Sequence, residues 1–265
     1  MELIKNRIVI KVGTSTLTND NGSVDYRTID RLAMTFSTIK NNGYDVILVS
    51  SGAIAVGRSK LRLPERPREL RLKQAAAAVG QCELMHIYDK FFGEYNESVA
   101  QILLNSDDID IEQKRVNLTN TFDTLLDMGI IPIVNENDSI SYSEIETDKK
   151  LFSDNDMLSA IVARFCRASK LFLLSDIEGL YSADPRKVQD AHVIPLVENI
   201  EEVAGFASAS GSNRGTGGMI TKLDAARLAT ESGIDTWILY GRRPQTVMYV
   251  LDGNSAGTMF RGKTN

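Results

Sequence analysis

Short runs of apolar, mostly β-branched residues recur along the 265-residue chain, and a segment of helical period follows almost every one. Ile8-Val9-Ile10, Val46-Ile47-Leu48-Val49, Val99 to Leu104, Ile130 to Val134, Lys170 to Leu174 and Thr236 to Tyr240 read as strands. Between them apolar residues return every three or four positions. Ile29, Leu32, Ala33, Phe36 and Ile39 do so behind a capping Asp25, and Leu118, Phe122, Leu125 and Leu126 repeat the pattern. Apolar runs without alternation mark strands buried on both faces, and strands that alternate with helices build a parallel sheet. The chain is therefore an α/β protein. Val247, Val250 and Leu251 mark a short last helix, and Gly257 to Phe260 closes the core. The alanines from Ala75 to Ala78 predict a helix that approaches the sheet closely.

The ends of the strands break the apolar pattern. Lys11 follows Ile8-Val9-Ile10, and Gly13-Thr14-Ser15-Thr16 comes next. A buried ammonium is costly without an anion. Glycine beside hydroxyl residues offers backbone and side-chain donors to a phosphate. On this stretch alone a phosphate cradle and an edge lysine reaching water both stand. Val49 runs into Ser50-Ser51-Gly52, which is an anion-binding turn or a plain tight one. Val134 runs into Asn135-Glu136-Asn137-Asp138, at the strand end where open α/β sheets place ligands. Residues 139–152 then read as a polar hairpin or flap. Asp154-Asn155-Asp156 opens a helix with more polar groups than a cap needs. Leu174 ends in Ser175-Asp176, before a long turn from Ile177 to Pro185. Residues 204–218 read as a mobile loop that leads into Gly215-Thr216-Gly217-Gly218-Met219-Ile220-Thr221-Lys222. Here the lysine begins a helix, and a helix N-terminus with a cation favours phosphate.

Composition removes other classes. With 43% hydrophobic and 25% charged residues the chain is an ordinary soluble globular protein, and its length suits one large domain or two small ones. A net charge of -5 argues against a general nucleic-acid binder. The basic run from Arg58 to Lys73 reads as a solvated face, with an oligomer contact or a mouth that draws in anionic ligands as the alternatives. Two cysteines and two histidines support neither a disulfide framework, nor a histidine metal site, nor a histidine-dependent triad. No stretch has the apolar core of a signal peptide or the length to span a membrane, so the expected location is the cytoplasm.

Lysines beside glycine-rich turns at two places, with acids and amides at other strand ends, suit phosphoryl transfer. That reaction rests on positioning and on neutralising oxygens that gain negative charge. A carboxylate acceptor is already ionised near neutral pH and needs no general base. An amino-acid acceptor would direct its ammonium to Asp138 and Asn155 and its carboxylate to the donors of Ser51 and Gly52.

Taken in order, these motifs resemble the amino-acid kinase family across nearly the whole chain. They are Val9-Ile10-Lys11-Val12-Gly13-Thr14-Ser15, Val49-Ser50-Ser51-Gly52-Ala53-Ile54, Asn135-Glu136-Asn137-Asp138, Asp154-Asn155-Asp156 with Leu158-Ser159-Ala160, Leu174-Ser175-Asp176 through Gly179-Leu180-Tyr181 to Asp184-Pro185, and Gly215 to Lys222. The match is closest to members that phosphorylate glutamate. The resemblance implies a single domain over residues 1–265, a three-layer αβα sandwich around a mainly parallel sheet. It implies transfer of the ATP γ-phosphate, with Mg²⁺, to the side-chain carboxylate of L-glutamate, the first step of proline synthesis. It further implies inhibition by L-proline and a homo-oligomer (dimer or tetramer), while the charge and the lack of a long apolar run set the expectation of no nucleic-acid or membrane partner.

By the same resemblance Lys11 and Lys222 stabilise the transferring group and Asp156 organises them. Ser51, Gly52, Asn135, Asp138 and Asn155 hold glutamate. Lys11, Gly13, Ser175, Asp176, Tyr181, Asp184, Pro185, Thr216, Gly217, Gly218, Met219, Ile220, Thr221 and Lys222 bind the nucleotide, and no residue is assigned to a metal. The chain departs from the family at Ser153, where glycine is usual, and it stops soon after Phe260, so the additional C-terminal RNA-binding-like domain that many members carry is not expected. Kinases for aspartate or N-acetylglutamate tend to show Gly-Gly where this chain has Gly13-Thr14. A non-catalytic sensor would have no use for both lysines.

Overall fold

The computed structural model describes residues 2–19, 22–140, 154–203, 205 and 218–263. The flap expected over 139–152 lies outside the described residues from 141 onward. Ser153, Thr216, Gly217 and all but Gly205 of 204–217 also lie outside them.

The strands are β1 (Ile4–Val12), β2 (Asp45–Ser50), β3 (Val99–Leu104), β4 (Ile131–Glu136), β5 (Ala168–Ser175), β6 (Leu196–Val197), β7 (Asp235–Tyr240) and β8 (Thr258–Phe260). They form one sheet in the order β3-β4-β2-β1-β5-β7-β8-β6. Neighbours are parallel except for the β7–β8 pair. The helices are α1 (Thr14–Leu17), α2 (Tyr26–Asn41), α3 (Ala53–Lys60), α4 (Leu70–Gly93), α5 (Ser106–Asp110), α6 (Glu112–Asp127), α7 (Asn155–Phe165), α8 (Met219–Glu231) and α9 (Thr246–Leu251).

Side chains alternate between the faces of a strand, so each continuous apolar run feeds two cores. Ile8, Ile10, Leu48, Phe172 and Leu174 pack with Ile29, Phe36, Leu84 and Tyr88 of α2 and α4. Val9, Ile47, Val49, Leu171 and Leu173 pack with Phe122, Leu158 and Ala226 of α6, α7 and α8. This is the expected helix–sheet–helix sandwich. Asp25 caps α2 by accepting from the Thr28 N–H at 3.1 Å, as its sequence predicts. The chain leaves β1 toward β2 on one side and later enters β5 on the other. Such a reversal opens a crevice at the carboxyl ends of the strands.

The alanine run also serves a helix–helix contact: Ala77 is buried on the stripe of α4 that carries Gln81, Leu84 and Tyr88, while Ala76 faces α3. Gly57 of α3 and Gly80 of α4 lie where these helices cross. A Cβ on Gly57 would overlap the Ala76 carbonyl oxygen, and one on Gly80 would overlap the Ala53 carbonyl oxygen. Ala76 is buried at this crossing, whereas Ala75 and Ala78 are exposed. Small residues here let one helix backbone touch another. Gly80→Ala is expected to lower unfolding stability by about 3 kcal/mol, because backbone must part to admit a methyl group. An unchanged urea midpoint would contradict this. The basic run divides between the end of α3, a loop and the start of α4. Arg62, Arg66, Arg68 and Arg71 are exposed.

Candidate active site

The apolar run of β1 ends in Lys11 because something buried awaits its charge. That partner is Asp156, in the first turn of α7, whose Oδ1 lies 2.6 Å from Lys11 Nζ. The other oxygen, Oδ2, accepts from Lys222 Nζ at 3.0 Å and from the Thr221 hydroxyl at 3.1 Å. The Asp156 side chain is 0% exposed, and those of Lys11 and Lys222 are 8% and 7% exposed. Lys222 lies at the end of the first turn of α8, slightly later than the helix start expected. Gly13 leaves room beside Lys11: a Cβ there would stand 3.5 Å from Nζ.

Asp154, not Asp156, is the cap of α7, accepting from the N–H groups of Asp156 and Met157 at 3.0 and 3.1 Å. Asp156 is thereby left to the lysines. Burial alone would raise its pKa, but the charges of Lys11 and Lys222 overcome this and hold it at about 2, against an ordinary 3.8. A lowered native pKa stabilises the fold above the unfolded value, and that stabilisation is lost as pH falls from about 4 to about 2. The amount is about 2–3 kcal/mol. The stability gap between the wild type and Asp156→Asn is expected to narrow by this amount over that range in urea titrations. A gap independent of pH would contradict it.

A second cluster lies at the ends of β2 and β4. Asn155 Nδ2 lies 2.9 Å from each of three oxygens: the Ser50 carbonyl, Ser51 Oγ and Asn135 Oδ1. Gly52 follows with φ of +99° and starts α3, a backbone shape that glycine takes without strain. Asn135, expected to hold substrate, is 2% exposed and its amide is enclosed. Its Oδ1 also accepts from the Glu136 N–H and its Nδ2 donates to Gln81 Oε1, each at 2.9 Å. Its Oδ1 is the same atom that accepts from Asn155. Asp138 lies half-buried in the turn after β4.

Sequence reasoning did not single out Gln81 or Tyr88, whose hydroxyl is 2.8 Å from Ser50 Oγ. The signal was available: both polar residues fall on the buried stripe Ala77, Gln81, Leu84, Tyr88 of α4.

Ser175 ends β5 beside the β1 terminus and Asp176 follows it, with the Ser175 hydroxyl donating to Asp176 Oδ1 at 3.1 Å. Gly218 is the residue before α8, with Met219 buried and Ile220 exposed. Tyr181 pairs with Val193 in an isolated bridge, and Pro185 is exposed. The Asp184 carboxylate turns back on its own loop. It accepts from the Arg186 backbone N–H and Nε at 3.0 Å and from Nη2 at 3.2 Å, and this guanidinium lowers its pKa.

Residues 6–240 match the model of the amino acid kinase family. The chain is 54% identical over 261 residues to the glutamate 5-kinase of Clostridium perfringens (strain 13 / Type A), covering 97% of this chain and 96% of that protein. It is 49% identical over 265 residues to the glutamate 5-kinase of Listeria monocytogenes serotype 4a (strain HCC23), covering 99% and 96%. The solved carbamate kinase from Giardia lamblia bound to AMP-PNP matches with a TM-score of 0.69 over 97% of this chain and 98% of that one. Its 15% identity speaks to the fold alone. The chain belongs to the amino acid kinase family.

Proposed function

We propose that the protein transfers the γ-phosphoryl group of ATP to the side-chain carboxylate of L-glutamate, giving L-glutamate 5-phosphate and ADP. One observation carries the reading: a buried carboxylate, Asp156, holds a lysine on each oxygen next to an amide-hydroxyl cluster at neighbouring strand ends. The glutamate 5-kinases that are 54% and 49% identical to this chain support it in kind. In the step, a carboxylate oxygen of glutamate bonds to the γ-phosphorus. The bond to the β–γ bridging oxygen breaks, ADP leaves with the electron pair, and no proton moves. Lys11 and Lys222 neutralise charge on the transferring oxygens, and Asp156 holds both ammonium groups in place.

Ser51, Gly52, Asp138 and Asn155 bind the amino acid in this reading, supported by Asn135. Gly13, Ser175, Asp176 and the start of α8 bind ATP. No group of three His, Cys, Asp or Glu able to hold a metal occurs among the described residues. In this reading a Mg²⁺ ion would arrive on the nucleotide phosphates, an arrangement common for this cation. The reading makes the protein a single-domain cytoplasmic enzyme of proline synthesis, homo-oligomeric and inhibited by L-proline. Among the described residues no helix is long and apolar enough to cross a membrane.

The test is ATP turnover with glutamate, aspartate, N-acetylglutamate and UMP as acceptors, trapping acyl phosphates as hydroxamates. Turnover with glutamate alone is expected. Preference for another acceptor would overturn the substrate, and no turnover with any would overturn the reaction.

A further inference from the structure

Three side-chain amides run in a line from α4 to the acceptor side of the site, and two backbone groups set their direction. The Ser50 carbonyl can only accept, so Asn155 must present its NH₂ there, at 2.9 Å. The Glu136 N–H can only donate, so Asn135 must present its oxygen there, also at 2.9 Å. The two settings agree, since Asn155 Nδ2 then donates to Asn135 Oδ1. The Asn135 NH₂ is left pointing at α4, in a place where the residue is 2% exposed. It needs an acceptor, and Gln81 Oε1 is that acceptor at 2.9 Å. Gln81 is itself 9% exposed and follows Gly80, the residue at the close helix crossing.

We propose that Gln81 is a positioning residue for the acceptor. Through Asn135 it locks the Asn155 amide with NH₂ turned inward and the carbonyl oxygen turned outward, ready to accept from a ligand's ammonium group. The proposal rests on the acceptor reading above and adds its polarity. Asn155 Nδ2 has two hydrogens for three oxygens, and among the described residues nothing donates to its Oδ1. The shared Ser51 oxygen can accept from Asn155 and still donate its own hydrogen to a ligand carboxylate. Without an acceptor at position 81, the buried Asn135 NH₂ is unpaired. Turning that amide over would instead set NH₂ against the Glu136 N–H and the Asn155 NH₂. Either way the orientation of Asn155 is no longer unique.

The experiment compares Gln81→Met, which keeps length but has no comparable acceptor, with Gln81→Glu, which keeps an oxygen there. KM for ATP and for the acceptor that the wild type turns over best are measured for each. Gln81→Met is expected to raise the acceptor KM about tenfold, the size of one buried unpaired donor, while the ATP KM holds. Gln81→Glu recovers most of the loss. The double variant Gln81→Glu/Asn135→Asp sets carboxylate against carboxylate, and its acceptor KM exceeds the product of the single effects; melting curves check that each variant folds. An unchanged acceptor KM, equal rises in both KM values, no rescue by glutamate at 81, or simple multiplication in the double variant would each overturn the proposal. If the wild type prefers an acceptor other than glutamate, the substrate reading fails while Gln81 is still judged with that acceptor.

Discussion

Replacing either lysine by methionine is expected to lower kcat by about 10²–10³-fold while the protein stays folded. The scale is that of removing one donor aimed at developing charge in a dry site. Methionine keeps much of the buried stem, so packing around Lys11 and Lys222 survives, and only the ammonium is lost. Each variant still leaves Asp156 one cation, which spares the buried carboxylate from complete isolation. The defect should fall on kcat more than on either KM, because charge on the transferring oxygens grows toward the transition state. The hydroxamate assay with circular dichroism of each variant measures this. Retention of more than about a tenth of kcat in both would remove the lysines from the chemistry.

Much of this site could be read before the fold was seen, because charge interrupts apolar runs at Lys11 and polar residues gather after Val49, Val134 and Leu174. Burial of those runs predicts the sheet, and the sheet's reversal at β1 and β5 predicts the crevice. The meeting of Lys11, Asp156 and Lys222 was not legible from spacing. Asp156 and Lys222 are 66 residues apart, and no local period links them. Spacing also left open which acid caps α7, since Asp154 and Asp156 are both suitable; only the hydrogen bonds assign the cap to Asp154. The alanine run on α4 did not reveal the crossing with α3, because small residues signal close approach without naming every neighbour. The two-residue β6 is too short to carry a period, and the antiparallel β8 reverses an otherwise parallel order.

Asp156→Asn tests the centre itself. The amide keeps the shape of the carboxylate and removes its charge, so two nearly buried ammonium groups face each other without an anion. Breaking a buried ion pair from one side costs about 3–5 kcal/mol, and this loss is expected in urea unfolding at neutral pH. Turnover should fall by about 10²-fold or more, since the lysines are no longer held where charge develops. Nucleotide binding should move the other way. Uncompensated cations favour a polyanion, so ATP affinity is maintained or raised, and ATP should stabilise the variant in melting experiments more than it stabilises the wild type. Adding Lys11→Met to Asp156→Asn should then cost less in kcat than Lys11→Met costs alone, because the three groups act as one unit. Parallel loss of ATP affinity and turnover, or full additivity in the cycle, would mean that Asp156 merely supports the fold. A split between tight binding and slow transfer would mean that its charge sets the positions from which Lys11 and Lys222 act.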